Sequence, residues 1–434
     1  MNRPKVSVIV PTHNSEKYIS EALDSLLAQT FKCFEVICVD SSSDSTPRIL
    51  ETYSSEYDCF KTIYDQNGSY GHKLNKGISE ACGDYLAILE SDDLFTEHML
   101  EILYSKALEN DVDFVKSSYS NFFSLNQEKV FVRQHIYYGY KYLNQVIDPH
   151  ELPNCRQYTS NNIWTGLYKA KFIEENDIRF NESPGASYQD TGFSVLCAAY
   201  ARKIMLIGDN LYLYRRDNEG SSVKSQEKYK CVYDEIKWLN GELEKRNLMS
   251  GDIITYFNLT KINAYRWNVA RLNSDYREAF LDLVKSDVDE HFFKIVKEDA
   301  ILKEKSAEHF NLTKELLKKK RSIVIFGAGI KGESVVKLAS LLGEKDNVVL
   351  CDNDSRKWGT KLDGVSIKSP EYISKKSECN VVLAIDEKNQ REVYKQLLAM
   401  GIEEDKILAV PFFPDQDNLV FNLIRALGQC SHVS

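Results

Sequence analysis

No Cys-x-x-Cys pair occurs among the ten cysteines, which stand singly along the chain. That spacing argues against a zinc site or a disulfide framework and suits reduced thiols in a cytoplasmic protein. Long apolar runs are also missing. No stretch approaches the roughly 18 consecutive apolar residues of a membrane-spanning helix. The run Val6–Val10 is too short for a secretory signal and meets Pro11. Positive charge is in deficit, with 55 Lys and Arg against 64 Asp and Glu and a net charge of −9. No domain-wide positive field is therefore available for nucleic acid. Internal repeats and low-complexity tracts are absent as well. What remains is a 434-residue chain with 43% hydrophobic and 27% charged residues, enough for two or three globular domains.

The first 120 or so residues alternate short apolar runs with amphipathic segments. The pattern predicts strands at Val6–Val10, Val36–Val39, Lys61–Tyr64 and Tyr85–Leu89, and helices at Glu16–Leu27, Thr46–Tyr53 and Lys73–Ala81. Such alternation builds a mostly parallel sheet covered by helices, with ligands at the carboxyl ends of its strands. Pro11, Asp40, Asp65 and Glu90 fall at those ends. Residues 120–225 are rich in aromatics, Asn and Ser and read as a surface-building region grafted onto the sheet. Residues 226–318 read as helices. A new α/β pattern starts near Arg321, with strands at Ser322–Phe326, Val348–Cys351 and Val381–Ile385 and helices at Lys331–Leu342 and Arg391–Met400.

The sharpest local signal is Glu90-Ser91-Asp92-Asp93, directly after a predicted strand. Like charges this close repel unless a cation or strong donors hold them. Hard oxygen ligands suit Mg²⁺ or Mn²⁺, which in turn bind phosphates. The competing reading makes Asp93 the cap of a helix beginning near Thr96.

Three separated segments then agree. Val6 to Asn14 (Val-Ser-Val-Ile-Val-Pro-Thr-His-Asn), Val39-Asp40, and Gly83 to Asp93 resemble glycosyltransferase family 2, over roughly residues 5–225. The resemblance implies a GT-A fold. It places Pro11, Thr12, Asn14 and Asp40 around a nucleoside, with Asp40 accepting from the uracil edge and Asn67 near the base or ribose. It makes Glu90-Ser91-Asp92 the acidic motif, with Asp92 the main metal ligand and Glu90 and Asp93 beside it. Glu90 stands where the family usually has Asp. Leu74-Asn75 replaces the usual Arg-Asn pair, leaving Lys73 as the nearest cation for the diphosphate.

The resemblance also points to Asp190, in Ser187-Tyr188-Gln189-Asp190, as the catalytic base. A sugar hydroxyl is a weak nucleophile, so a carboxylate that takes its proton is chemically required. The alternative is that Asp190 caps a helix over Thr191–Tyr200. Tyr214 to Ser222 sits where the family carries a loop over the donor, so Arg215 or Arg216 could clamp the diphosphate and Ser221 bond it. Trp164 offers a face for a sugar ring, or belongs to the core.

Gly327-Ala328-Gly329-Ile330-Lys331-Gly332 follows a predicted strand and opens a helix, and Asp352 stands twenty residues after the last glycine. The segment resembles Rossmann-like modules over about residues 319–415. No credible catalytic pair accompanies it: Tyr372 and Lys376 follow Asp352 too soon. A packing, dimerisation or acceptor-docking role competes with cofactor binding. The basic stretch Leu316–Arg321 could touch anionic lipid, or be a solvated helix end.

The resulting expectation is an α/β protein with a GT-A domain at 1–225, a helical region at 226–318 and a Rossmann-like domain at 319–434. Its activity would be inverting transfer from a UDP-sugar, with Mn²⁺ or Mg²⁺, to a glycan or lipid-linked glycan in bacterial surface-polysaccharide synthesis. Its place would be the cytoplasm or the inner face of the plasma membrane, with a homo-oligomer left open. The rivals are a nucleotide-sugar oxidoreductase or epimerase working after Arg321, and a non-catalytic nucleotide- or glycan-binding protein.

Overall fold

The computed structural model describes residues 3–125, 128–133, 142–152, 155–156, 159, 161–186, 188–218, 220, 225–288, 322–341, 344–375, 379–385, 387–403 and 406–409. The chain divides into two compact units, Met1–Phe292 and Phe293–Ser434.

The first unit opens with β1 (Val6–Thr12), α1 (Ile19–Leu27), β2 (Phe34–Asp40), α2 (Thr46–Glu56), β3 (Phe60–Tyr64), α3 (Tyr70–Glu80) and β4 (Tyr85–Ile88). Every residue of β1 is buried, as expected of a parallel strand covered on both faces. α1 buries Ile19, Ala22, Leu23 and Leu26, a spacing that gives one apolar stripe. These elements match the sequence reading, with strands extended to include Thr12 and Asp40, which pair in register.

Next come β5 (Leu94–Phe95), α4 (Met99–Asn110), β6 (Phe114–Leu125), β7 (Glu128–Arg133), β8 (Val146–Ile147), β9 (Gly166–Lys169), α5 (Ala170–Glu175), α6 (Gln189–Tyr200) and β10 (Ile204–Arg215). The ten-stranded sheet has the order β3-β2-β1-β4-β9-β6-β10-β5, with β7 beside β6 and β8 beside β10. β3, β2, β1 and β4 are mutually parallel, whereas β9 is antiparallel to both its neighbours. The stretch read as a grafted surface therefore supplies much of the sheet. Its longest strands defeat a period-two reading, because β10 shifts register against β6 around Asn210.

The order 3-2-1-4 reverses direction between β1 and β4. In open α/β sheets that reversal is where the crevice for a ligand opens. Thr12, Asp40 and the Glu90 segment all end there.

α7 (Cys231–Lys245), α8 (Gly251–Arg271) and α9 (Ser274–Lys285) belong to this same unit. α7 packs on α6: a side chain at Gly192 would meet Glu235 Oε1 at 2.5 Å. None of the described helices is long and apolar enough to cross a membrane.

The second unit contains β11 (Ser322–Phe326), α10 (Ile330–Leu341), β12 (Val348–Cys351), β13 (Lys361–Leu362), β14 (Val365–Lys368), α11 (Glu371–Ser374), β15 (Cys379–Leu383), α12 (Glu387–Ala399) and β16 (Ile407–Ala409). β14, β12, β11, β15 and β16 lie parallel in that order, with β13 antiparallel at the edge. Alternation along β11 splits the core. Ile323 and Ile325 pack with Val335 and Val336 of α10, while Val324 and Phe326 pack with Val393 and Leu397 of α12. Leu316–Arg321 and Lys376 lie outside the described residues.

Candidate active site

One end of the crevice is built by β1 and β2. Thr12 donates from Oγ1 to Asp40 Oδ1 at 2.7 Å, and Ser42 donates to the same oxygen at 2.6 Å. Asp40 is only 2% exposed, and its Oδ2 is buried without a hydrogen-bond partner. Such an orphan costs roughly 1–3 kcal/mol unless something fills it. Pro11 lies opposite Val39 in the β1–β2 register. Asn14 adopts φ 50°, receives Ser43 N–H on its Oδ1 at 2.8 Å and donates its own N–H to Ser42 Oγ at 2.7 Å. It thus shapes the loop after Asp40. Asn67 is exposed and forms local turns, its N–H on Asp65 Oδ1 and its Oδ1 on Ser69 N–H, both at 2.9 Å.

Lys73 corrects an expectation. Its ammonium is buried beneath the crevice, donating to the Thr12 carbonyl at 2.9 Å and to Ser41 Oγ at 3.0 Å. It fastens the ends of β1 and β2 to α3, so it is committed to the frame rather than offered to a diphosphate.

The acidic segment divides by direction. Asp93 points inward: Tyr212 donates to its Oδ2 at 2.7 Å and the Arg215 N–H to its Oδ1 at 2.6 Å, and it has no exposed surface. It is neither a metal ligand nor a helix cap, because α4 begins only at Met99. Leu94 and Phe95 first pair with β10 as β5. Glu90 and Asp92 keep part of their surface open, as residues on the floor of a cleft do. Glu90 accepts from the Tyr70 hydroxyl through Oε1, and Asp92 accepts from Asn218 Nδ2 through Oδ2 at 2.6 Å. Each thus gives one oxygen to a protein donor. Burial pushes Glu90 up to about 8, with Asp92 and Asp190 adding to the rise. Ser91 shares a 2.7 Å hydrogen bond with Ser15. Among the described residues, no three His, Cys, Asp or Glu side chains converge to enclose an ion.

Arg215 is likewise fixed. It donates from Nε to the Asp92 carbonyl at 2.7 Å, pairs with Glu21 and Asp217, and lies over the rings of Tyr18 and Phe122 at 4.6 and 4.5 Å. It holds the acidic segment from behind instead of clamping a ligand. Arg216 lies over the Tyr214 ring at 5.3 Å. Ser221 falls outside the described residues. Trp164 is 8% exposed and stacks on Tyr214 with centroids 5.2 Å apart, so it belongs to the core.

Asp190 sits in the first turn of α6, whose preceding residue, Tyr188, is held at φ 67° without a side-chain cap. Asp190 is therefore inside the helix rather than its cap. The helix N-terminus favours an anion there. Burial raises its carboxyl to about 6, opposed by the Thr191 N–H and by the charge of Lys116. Its charge raises the Glu90 carboxyl and the Tyr70 phenol, and the loop ahead of it is tied to α3 by the Tyr70 N–H on the Gly185 carbonyl at 3.0 Å. Two other nearby carboxylates are committed elsewhere. Asp217 accepts from the Ser124 N–H at 2.7 Å, and Glu182 is held by His72 and Asn75 at 2.9 Å each.

Tyr70, Tyr212, Asn218 and Glu21 carry this geometry, and sequence reasoning did not name them. Phenol and amide donors leave no local pattern; only the fold brings them to Glu90, Asp92 and Asp93. The helices after 225 also serve the site. Lys228 donates to the Ala186 carbonyl at 2.7 Å, and Arg271 lies 5.7 Å from the centre of the Tyr188 ring, bracing the loop that delivers Asp190.

The glycine turn of the second unit is closed on itself. Asp352 accepts from the N–H of Ala328 at 2.7 Å, the N–H of Asp354 at 2.8 Å and Lys357 Nζ at 2.9 Å. A side chain at Gly332 would meet the Gly327 carbonyl at 1.9 Å, so that glycine serves internal packing.

Comparison with known proteins identifies the family. The profile "Glycosyl transferase family 2" matches residues 7–160, and "C2185-like, N-terminal" matches residues 319–408. Glycosyltransferase GlyG of Streptococcus pneumoniae serotype 4 (strain ATCC BAA-334 / TIGR4) is 30% identical over 228 residues, 51% of this chain and 73% of that protein. The poly(ribitol-phosphate) β-N-acetylglucosaminyltransferase TarS of Staphylococcus aureus (strain Mu50 / ATCC 700699) is 27% identical over 284 residues, 61% of this chain and 46% of that protein. The match thus spans less than half the length of TarS. A solved structure of S. aureus TarS 1-349 in complex with UDP-GlcNAc is 23% identical and covers 70% of this chain and 91% of that one, with a TM-score of 0.45; that overlap is too loose to carry an argument. The chain belongs to glycosyltransferase family 2 and is a glycosyltransferase.

Proposed function

We propose that the protein transfers a sugar from a UDP-sugar to a hydroxyl of a surface-glycan acceptor, with inversion and with help from a divalent cation. The carrying observation is the buried, unmatched Oδ2 of Asp40 at the end of β2, next to the strand β1 at which the order reverses. It is an acceptor suited to an N–H on the edge of a pyrimidine base. The TarS relative supports the acceptor class, since its name gives poly(ribitol-phosphate). A glycan or lipid-linked glycan handled at the inner face of the plasma membrane is the acceptor this reading favours.

Glu90 and Asp92 would hold a Mn²⁺ or Mg²⁺ ion, hard cations that take carboxylate oxygens and bind phosphates. When bound, the ion would neutralise the leaving diphosphate. The chain's own residues do the rest. Asp40 orients the base. Arg215, held by Asp217 and Glu21, fixes the backbone of Asp92. Asp190 takes the proton of the attacking hydroxyl. Among the described residues Glu90 and Asp92 are assigned to the cation and Asp190 to the proton, so displacement is direct and the anomeric configuration inverts.

Calorimetric titration of UDP into the full chain tests the reading. With Mn²⁺, UDP should bind, and after EDTA the affinity should fall at least tenfold. Equal affinity in both buffers removes the cation. Absence of UDP binding in either one removes the donor assignment.

A further inference from the structure

The first two turns of α3 grip the stretch that leads into α6. The Tyr70 N–H donates to the Gly185 carbonyl at 3.0 Å. A side chain at Gly71 would meet the Asn181 carbonyl oxygen at 1.9 Å, so only glycine admits that approach. Asn75 donates to the Phe180 carbonyl at 3.0 Å and to Glu182 Oε1 at 2.9 Å, and accepts the Phe180 N–H at 2.9 Å. Phe180 in turn stacks on Phe193 of α6 with ring centres 4.2 Å apart, about one helical turn beyond Asp190. His72 completes the grip and extends it. Its Nδ1 lies 2.9 Å from Glu182 Oε2 and its Nε2 lies 3.0 Å from Asp65 Oδ2. Asp65 is itself joined to the donor crevice, its N–H on the Asp40 carbonyl at 2.8 Å. A neutral imidazole has one N–H and one lone pair, and a carboxylate only accepts. Two carboxylates, one on each nitrogen, are both served only by the imidazolium. Both stay ionised. The Asn67 N–H and His72 hold Asp65 below the usual range, and Asn75 and His72 outweigh burial to do the same for Glu182.

We propose that His72 is a positioning residue for the reaction: as an imidazolium it joins the Asp65 turn beside Asp40 to the stretch that delivers Asp190, and so holds the base against the donor crevice. The inference rests on Asp190 being the base. A lone ion pair this exposed would contribute little, but this one acts on a stretch already bonded to Tyr70 and Asn75. The charged groups facing the ring are Asp65 from the turn after β3 and Glu182 from the stretch before α6. On α3 itself, Lys73 and Lys76 act on Asp65. Glu182 foremost, with Asp65, raises the His72 pKa against its partial burial. The clasp is therefore complete below the ordinary histidine pKa and is lost as pH rises through the higher folded value. Above it, a lone pair faces one of the carboxylates and the stretch loosens.

The test is nitrogen-15 NMR of the full chain labelled at its histidines, joined to hydrogen exchange over residues 178–186. The His72 signals are those missing from His72→Gln. At pH 7 both ring nitrogens should carry protons, and the titration midpoint should lie above the ordinary histidine value. In His72→Gln, exchange over 178–186 should quicken by about tenfold at pH 7, the low end of what a hydrogen bond to a charged group contributes. Wild type should reach the same exchange, corrected for its intrinsic pH dependence, above the midpoint. Release of UDP from UDP-glucose, UDP-galactose or UDP-GlcNAc, with Mn²⁺ and water as acceptor, reads the base. In His72→Gln its kcat should fall by about the same factor while KM stays near wild type. His72→Arg, charged at every pH, should recover most of the lost rate and remove the alkaline limb. If His72→Gln fails to fold, Glu182→Gln removes the same bridge and should lower the His72 midpoint. A neutral ring at pH 7, or unchanged exchange in a folded variant, overturns the proposal while leaving Asp190 as base. Full UDP release by Asp190→Asn would instead remove the base, with the clasp still visible in the NMR titration.

Discussion

Asp40 and Asp352 occupy equivalent places in two parallel sheets. Each closes the second strand, beside the strand that leads into the first loop of its unit. Their hydrogen bonding differs. Asp40 spends Oδ1 on Thr12 and Ser42 and leaves Oδ2 buried and unmatched. Asp352 receives two backbone N–H groups and a lysine from its own surroundings. One carboxylate therefore keeps an unmatched buried acceptor, while the other has satisfied its acceptors internally. The same strand topology can hold a ligand or a finished structural joint, and the unmatched polar atoms distinguish them.

The largest effect expected from breaking this contrast lies at the open site. Asp190→Asn keeps the shape of the first turn of α6 but cannot take a proton. Sugar transfer should fall by about 10²–10⁴-fold, as for a lost general base. UDP affinity with Mn²⁺ and the melting temperature should stay near wild type. A variant that retains most of its rate would move the base elsewhere.

A smaller effect is expected at Asp40. A hydrogen bond to a charged group contributes about 1.5–3 kcal/mol, so Asp40→Ala should weaken UDP by roughly 10- to 100-fold in calorimetry. Mn²⁺ dependence should persist, because Glu90 and Asp92 are untouched. Unchanged UDP affinity would show that the orphan oxygen serves something other than the base.

The strands and helices before residue 90 were legible because buried parallel strands read as apolar runs and α1 shows a clean stripe. The positions of Asp40, Glu90 and Asp92 at strand ends were legible because apolar runs lead directly into them. Asp93 was misread, since no local pattern tells an outward carboxylate from one that Tyr212, more than a hundred residues away, turns inward. Lys73 failed for a similar reason: a cation near a phosphate motif looks like a ligand until its carbonyl partner on β1 is known. The region from 120 to 225 hid its strands because β9 is short and antiparallel and β10 changes register midway. The glycine motif was placed correctly on a turn between strand and helix. What it could not reveal was that Asp352 folds back onto Ala328.

The smallest effect tests the closed joint. In Asp352→Asn one oxygen remains to accept, but the amide NH₂ must face a backbone N–H or the Lys357 ammonium, donor against donor. The wild-type carboxyl resists burial, yet the Asp354 N–H, Lys357 and the Ala328 N–H outweigh it and hold the group below the usual range. Its contribution is therefore complete above the unfolded carboxyl pKa and is lost as pH falls through the lower folded value. The Asn variant should lack that acid-range loss. At neutral pH it should cost about 1–2 kcal/mol locally, the penalty for an unmatched buried group. Hydrogen exchange at the amides of Ala328 and Asp354 reads this directly and should quicken by roughly five- to thirtyfold, the same free energy expressed as an opening equilibrium. UDP affinity should not change, and neither wild type nor variant should bind NAD⁺ in calorimetry. A loss of UDP affinity in Asp352→Asn comparable to that of Asp40→Ala, or NAD⁺ binding by the wild type, would mean that the second crevice also keeps a place for a ligand.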